Sequence, residues 1–191
     1  MLKSLRWIGL IKEVILIIFW FGHLPQIDMD LSDWTPFIQN HWYRKHYMKF
    51  VYLLQFIIFL MPFFFETHFT YINNFSLIII GIIVFIIHEY IHIVTINKKG
   101  DISLTFSGFF WLNTNAVLSK SRFWFFMSLP FIVLSVIPAI MALYVPSNIK
   151  PIIVFVSWIN AVISASDIIN SFLIAIKPKS AVFYRGFYRV K

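Results

Sequence analysis

The chain has 191 residues, of which 60% are hydrophobic, 20% are aromatic and only 13% are charged. Soluble domains carry about 25% charged residues, so this composition excludes an ordinary soluble domain and indicates a membrane protein. The formal net charge is +8, and the lack of cysteine excludes disulfide bonds and thiolate metal ligands.

The N-terminal region, residues 1–46, differs from the rest of the chain. Residues 14–22 are apolar but too few to span a bilayer, and Lys12 and Glu13 precede them. We predict an interfacial or half-inserted helix here, with a fifth membrane span over residues 7–22 as the alternative. Residues 25–46 are more polar and are predicted to be a cytoplasmic linker.

Four apolar segments approach or exceed the roughly 20 residues that a helix needs to cross a bilayer. They form the predicted membrane-embedded domain, residues 47–181. The fold class that follows is an all-α multi-pass membrane protein. The four predicted spans are 47–65, 72–97, 123–146 and 150–176.

The basic residues alternate between the two sides of these spans. They cluster before span one, between spans two and three, and after span four, which by the positive-inside rule predicts that these regions are cytoplasmic. Short loops with this pattern argue against a nucleic-acid surface, so no nucleic-acid partner is expected. Lys150 is the exception, because it lies between spans three and four, on the side predicted to be outside. The three cytoplasmic clusters are Arg44, Lys45, Lys49; Lys98, Lys99, Lys120, Arg122; and Lys177, Lys179, Arg185, Arg189, Lys191.

Two segments outside the spans have a distinct composition. The loop 98–122 contains the β-rich stretch ISLTFS, then Gly108, and later the turn-like NTN. We predict a small cytoplasmic β-hairpin over about 102–118. Residues 182–191 mix aromatic and basic side chains and are predicted to be a tail on the anionic cytoplasmic leaflet.

The stretch HEYIH, residues 88–92, lies inside the second apolar segment. Residues i and i+4 share one face of a helix, so His88 and His92 can direct two imidazoles at one ion. Glu89 is placed to act on a water as general base, which is the chemistry of HExxH metal sites. The alternative is a polar cluster in which the histidines bond neighbouring helices and Glu89 pairs with a lysine.

A catalytic zinc needs a third protein ligand, and Asp167 is the other carboxylate within the four spans. By the predicted topology, spans two and four run in the same direction. His88 and Asp167 then lie at similar depth, roughly 24–26 Å from the outer surface at about 1.5 Å per residue. We therefore predict one Zn²⁺ per chain, held by His88, His92 and Asp167, with other divalent metals as alternatives.

Polar residues form a stripe along the fourth predicted span. Helical spacing places Asn160, Ser164, Asp167 and Ser171 on one face. This stripe could line a hydrated cleft, with Asn160 and Ser164 as candidate substrate or oxyanion contacts. Packing of helices through small polar residues is the equal alternative for all but Asp167.

The chain resembles the bacterial zincin peptidase family, which contains small multi-pass membrane proteins similar to site-2 proteases. The resemblance lies in HEYIH, in LSKSRFWFFMSLP (118–130) and in INAVISASDIINSFLIAIKPKSA (159–181). It implies the same zinc ligands and Glu89 as catalytic base. It departs from site-2 proteases at the third ligand, because Asp167 is followed by Ile168 rather than glycine.

The predicted function is zinc-dependent hydrolysis of a peptide bond near the cytoplasmic face of the cell membrane. The predicted partners are membrane lipid and a peptide or membrane-protein substrate, and the oligomeric state stays open. One alternative is a non-catalytic binding or immunity protein with a peptidase-like fold. A histidine-box oxidase is disfavoured, because it needs about eight histidines and the chain has six.

Overall fold

The structure is a computed structural model, and it describes residues 31–64, 69, 72–95, 102–106, 110–114 and 116–190. The interfacial helix predicted within residues 7–22 lies outside the described residues, as does most of the N-terminal region. The described part is mostly helical and also contains a four-stranded antiparallel sheet and a two-stranded hairpin. The helical class predicted from the sequence is therefore confirmed, while the four-stranded sheet was not predicted.

Among the residues that the structure describes, five helices follow one another in chain order. Three of them, α1, α2 and α3, are each long and apolar enough to cross a membrane. A fourth span is formed if the bent pair α4 and α5 counts as one. The helices are α1 (His41–Phe64), α2 (Asn74–Val94), α3 (Lys120–Met141), α4 (Lys150–Ile163) and α5 (Ala165–Ala175).

Helix α1 begins six residues earlier than the predicted span, so the boundary placed between residues 46 and 47 falls inside it. Asn40 precedes the helix and accepts a hydrogen bond through Oδ1 from the backbone N–H of Tyr43 at 2.9 Å. Asparagine is a favoured N-cap because it satisfies an amide of the first turn. The linker predicted over residues 25–46 therefore ends at this cap.

Pro62 lies inside α1 and cannot donate the helical hydrogen bond to the carbonyl of Ile58. The indole N–H of Trp158 on α4 donates to that carbonyl instead, at 2.9 Å. A neighbouring helix thus supplies the donor that the proline lacks, which is how membrane helices tolerate proline. The same bond joins α1 to α4.

The fourth predicted span is not one straight helix, which corrects the prediction for residues 150–176. Helices α4 and α5 meet at Ser164 and are bent by 64°. In an unbroken helix the carbonyl of Val162 would accept from the amide four residues later. Here the side-chain amide of Gln55 on α1 donates to it through Nε2 at 3.2 Å. Tertiary contacts from α1 therefore accompany the bend.

The hairpin predicted in the loop between spans two and three is present. Strands β2 (Ile102–Phe106) and β3 (Phe110–Thr114) pair antiparallel, with Leu104 opposite Leu112. The hairpin ends at Thr114 rather than near residue 118, because β4 (Leu118–Ser119) belongs to the other sheet.

The C-terminal residues are not a tail, which corrects that prediction. Strands β5 (Ala181–Tyr184) and β6 (Phe187–Val190) form a hairpin through a turn in which Arg185 and Gly186 have positive φ. With β1 (Thr35–Pro36) and β4 they form a sheet in the order β1-β6-β5-β4. The domain boundary predicted between residues 181 and 182 therefore falls inside β5.

The four-stranded sheet packs against the ends of α3 and α5 through an aromatic core. Phe37, Phe183 and Tyr188 are buried there together with Ile174 of α5, and Phe123 of α3 packs against them. Phe183 and Tyr188 of VFYRGFYRV fill this core, whereas Tyr184 is buried in a second cluster with Trp34, because successive strand side chains point to opposite faces. The sheet thus ties the start of the described chain to its end, next to the two helices that approach the candidate site.

Candidate metal centre

Helix α2 carries the two histidines of HEYIH on one buried face. Asn73 caps the helix by accepting from the amide of Phe75 at 3.0 Å, and the long apolar run that follows contains no proline. His88 and His92 are one turn apart, and both side chains are buried against neighbouring helices. The local sequence alone therefore directs both imidazoles to the same side of α2.

Asp167, in the first turn of α5, completes a cluster of three possible metal ligands. The Nε2 atoms of His88 and His92 lie 3.2 Å apart. Oδ2 of Asp167 lies 3.1 Å from Nε2 of His88 and 3.3 Å from Nε2 of His92. The structure thus brings together the three residues that the sequence predicted as metal ligands, from two helices that are distant in the chain.

The second ring nitrogen of His88 is held by Asn160 on α4. Oδ1 of Asn160 lies 2.9 Å from Nδ1 of His88. The amide Nδ2 of Asn160 donates to the carbonyl of Pro130 at 3.2 Å and to Oγ of Ser135 at 2.8 Å. Since a carbonyl can only accept, these bonds fix the amide orientation, and Nδ1 of His88 must be the donor to Oδ1.

The second ring nitrogen of His92 is held by the backbone of α3. Nδ1 of His92 donates to the carbonyl of Phe126 at 2.7 Å. Pro130 stands four residues after Phe126 and has no N–H to give to that carbonyl. The proline therefore leaves a backbone acceptor available inside a helix, and His92 uses it.

Ser135, which supports Asn160, lies in a π-helical turn of α3, Ile132–Val136. Oγ of Ser157 on α4 donates to the carbonyl of Ser135 at 2.8 Å. Such turns are rare and occur mostly as single insertions at functional sites. Here the turn adjoins the hydrogen bonds that orient His88.

With hydrogen on both Nδ1 atoms, neutral His88 and His92 each present a lone pair at Nε2. Two lone pairs and a carboxylate oxygen at 3.1–3.3 Å repel one another unless a cation lies among them. A proton on one Nε2 would be shared with Asp167, whereas a divalent ion would satisfy all three acceptors at once.

The donor set fits zinc in both chemistry and spacing. Two imidazole nitrogens and one carboxylate, with a remaining open position, are a known ligand set of catalytic zinc. At Zn–N distances of about 2.0–2.1 Å, tetrahedral geometry separates neighbouring ligand atoms by about 3.3 Å. The three distances in the cluster agree with that value. The residues present therefore match a zinc ion.

Glu89 lies beside the three ligands and lines the same cleft, which has a volume of about 100 Å³. Its Oε2 is buried, and no described residue forms a hydrogen bond with it. Buried carboxylate oxygens are normally hydrogen-bonded, so this atom is free to engage a molecule in the cleft.

The cleft is bounded by α1, α2, α3 and the junction of α4 with α5. Its walls consist of Met48, Val51, Tyr52, Gln55, His88, Glu89, His92, Phe126, Met127, Ile163, Ser166, Asp167 and Asn170.

Asn160 and Ser164 lie behind the ligands rather than on the cleft wall. Both are fully buried, and Nδ2 of Asn160 lies 3.3 Å from Oγ of Ser164. Their contact with substrate therefore stays a prediction. The side-chain amide of Asn160 is already used in hydrogen bonds to His88 and to α3. This geometry instead supports a role for Asn160 in orienting His88.

Sequence reasoning missed Phe126 and Pro130 as partners of the site. A signal was present: a proline inside a predicted span leaves the carbonyl four residues before it without its usual donor. The sequence could not show which side chain would donate to that carbonyl, because His92 and Phe126 are 34 residues apart.

Comparison with known proteins gives one match. No curated protein and no solved structure matches the chain. The sequence model of one family, described as "Putative zincin peptidase", matches residues 81–182. This match covers more than half of the chain and includes HEYIH, Asn160 and Asp167. The chain therefore belongs to the family described as "Putative zincin peptidase".

Proposed function

We propose that the protein is a zinc-dependent peptidase in which His88, His92 and Asp167 hold one zinc ion and Glu89 is the catalytic base. One observation carries the proposal: three acceptor atoms from α2 and α5 converge at 3.1–3.3 Å, as ligands of a single ion do. The family match supports peptidase chemistry at this cluster.

The reaction is attack of water on a peptide carbonyl. Zinc supplies Lewis acidity, which polarises a carbonyl and makes a water molecule more acidic. Glu89 takes a proton from the attacking water as the new C–O bond forms. It then gives that proton to the leaving nitrogen as the C–N bond breaks. The buried Oε2 of Glu89, with no partner among the described residues, suits this role.

We place the reaction at the cytoplasmic edge of the cell membrane. The apolar helices α1, α2 and α3 support membrane insertion, and the alternating Lys and Arg residues support a cytoplasmic site. The substrate is then a peptide or a membrane protein cut near this boundary. A helical substrate must unwind first, because its peptide groups are otherwise bonded within the helix.

The test measures metal content and peptide cleavage on the full chain purified in detergent. We expect about one zinc per chain in the natural protein, and loss of zinc in His88→Ala and in Asp167→Ala. Exposed His41, at the start of α1, provides the matched control, so His41→Ala should keep its zinc. Glu89→Gln should also keep its zinc but lose cleavage by about 100-fold or more, because the base is removed.

Three outcomes would contradict the proposal. Absence of zinc from carefully prepared natural protein would reduce the cluster to a polar contact between helices. Full cleavage by Glu89→Gln would remove the assigned base. Zinc binding without peptide cleavage, with cellular function unaffected by Glu89→Gln, would instead favour a non-catalytic binding protein.

A further inference from the structure

Gln55 interrupts one of the most apolar stretches of the chain, VYLLQFIIF on α1. Polar side chains in such helices are costly and are retained where they bond another helix or line a functional cavity. Gln55 does both. Its Nε2 donates to the carbonyl of Val162 at the bend between α4 and α5, and its side chain lines the cleft.

The orientation of the Gln55 amide follows from this bond. A carbonyl can only accept, so the nitrogen of the amide must face Val162 and Oε1 must be turned the other way. No described residue donates to Oε1. Gln55 therefore carries an acceptor that no described residue uses, on a side chain that lines the cleft.

Asn170 also lines the cleft, one turn after Asp167 on α5. Its Oδ1 accepts from the hydroxyl of Tyr47 at 2.9 Å. Its Nδ2 has the thioether sulfur of Met127 at 3.9 Å, and thioethers are weak acceptors. Asn170 therefore retains donor capacity next to the candidate metal ligands.

An unused acceptor and an unused donor in one cleft are complementary to a peptide group, which has one N–H and one C=O. Part of the cleft wall is apolar, since Met48, Val51 and Met127 also line it. Burying an unpaired peptide group beside such a wall would be costly, and two amides remove that cost.

We propose that Gln55 and Asn170 form a subsite for the main chain of an extended peptide with apolar side chains. Oε1 of Gln55 accepts from a peptide N–H, and Nδ2 of Asn170 donates to a peptide carbonyl. The subsite rests on the proposed peptidase function and gives it a substrate class: an unwound apolar segment recognised by its backbone. Gln55 and Asn170 are positioning residues, since neither performs a step of the hydrolysis.

The competing explanation is structural, with Gln55 serving only to satisfy Val162 at the bend. Trp158 offers a matched control for it, because its indole N–H also joins α1 to α4 by bonding a backbone carbonyl, that of Ile58. Trp158 is not among the residues that line the cleft. A variant Trp158→Phe therefore removes a similar interhelical bond without touching the proposed subsite.

The experiment measures binding of small probes to the zinc-loaded full chain in detergent. Acetohydroxamate has a metal-binding group but no peptide, and N-acetyl-leucyl-leucyl hydroxamate adds a short apolar peptide with two peptide N–H groups. Two further probes are ester analogues of the second compound, each with one peptide N–H replaced by oxygen. The ratio of the two hydroxamate affinities reports what the peptide portion contributes.

We expect Gln55→Leu and Asn170→Leu each to lower this ratio about five- to tenfold, the effect of one lost hydrogen bond. Trp158→Phe should leave the ratio unchanged. One ester analogue should bind the natural protein less tightly by a similar factor, yet lose nothing further on Gln55→Leu, because the N–H that would donate to Gln55 is already absent from it. If Gln55 has only a structural role, Gln55→Leu should still bind the ester analogue less tightly than the parent peptide hydroxamate.

The subsite is overturned if the ratio in both leucine variants equals that of the natural protein, or if the ester penalty persists in Gln55→Leu. Unchanged acetohydroxamate affinity in each variant shows that the metal centre is folded. Failure of acetohydroxamate to bind the zinc-loaded natural protein is a different result, because it would overturn the proposed metal function and the subsite with it.

Discussion

His92 donates through Nδ1 to the backbone carbonyl of Phe126 at 2.7 Å, and Pro130 is the residue that leaves this carbonyl available. A hydrogen bond of this kind selects the tautomer of a ligating histidine and fixes the plane of its ring. The proline thus contributes to the candidate metal centre through the hydrogen bond that it leaves open to His92.

Replacing Pro130 by alanine should weaken zinc binding, although the substitution makes α3 a more regular helix. The new alanine would supply a backbone N–H to the carbonyl of Phe126 and compete with His92 for it. We expect zinc affinity to fall about tenfold, within the range for partners of ligating histidines. Competition with a chelating dye in detergent measures this change.

Pro62→Ala is the control for this prediction. Pro62 is likewise inside a helix, but the carbonyl it leaves available, that of Ile58, accepts from Trp158, and neither Ile58 nor Trp158 is among the residues that line the cleft. Its zinc affinity should match that of the natural protein. Equal affinity of Pro130→Ala and the natural protein would mean that the bond to Phe126 does not tune the site.

Replacing Asn160 by alanine should lower zinc affinity about 10- to 100-fold, since Nδ1 of His88 would lose its acceptor. Asn160→Asp should lose less affinity than Asn160→Ala, because a carboxylate still accepts from the imidazole N–H, although it cannot donate to the carbonyl of Pro130. Ser157→Ala provides the control, as it removes a different bond between α4 and α3. Equal losses in all three variants would indicate general loosening of the helices rather than a role in orienting His88.

Lys120 is predicted to stabilise the fold as a cap on α5. Its Nζ donates to the carbonyl of Ala175 at 2.7 Å and to the carbonyl of Lys177, at the C-terminal end of that helix. A cation there complements both the unpaired carbonyls and the helix dipole. Lys120→Met should lower the free energy of unfolding by about 1 kcal/mol.

Thermal unfolding in detergent measures this effect, and about 1 kcal/mol corresponds to a decrease in Tm of about 2–4 °C for a chain of this size. Arg122→Met, at an exposed position in the first turn of α3, is the control and should change Tm little. A Tm of Lys120→Met equal to that of this control would exclude the capping role.

The predicted orientation in the membrane can be tested with single cysteines, because the natural chain contains none and gives no background. Gly100→Cys lies in a loop predicted to be cytoplasmic, and Ser147→Cys lies between spans predicted to meet outside. An impermeant thiol reagent added to intact cells should label Ser147→Cys and label Gly100→Cys only after lysis. Labelling of both from one side would overturn the topology.

Much of the fold followed from local properties of the sequence. The positions of α1, α2 and α3 were predictable because hydrophobicity accumulates over neighbouring residues and matches the thickness of a bilayer. The hairpin of β2 and β3 was predictable because a β-rich stretch is followed by a glycine. The pairing of β1 with β6 was not, since Thr35 and Tyr188 stand at opposite ends of the described chain.

The candidate site likewise has features that local sequence predicts and features that depend on tertiary contacts. The sequence by itself determined that His88 and His92 share a helix face, because helical spacing is local. The alternation of basic loops predicted that Asp167 lies at a similar depth. Only the tertiary structure decided the bend at Ser164 and the partners of the imidazoles. Asn160 and Phe126 are 72 and 34 residues from the histidines they hold, so packing rather than spacing selects them.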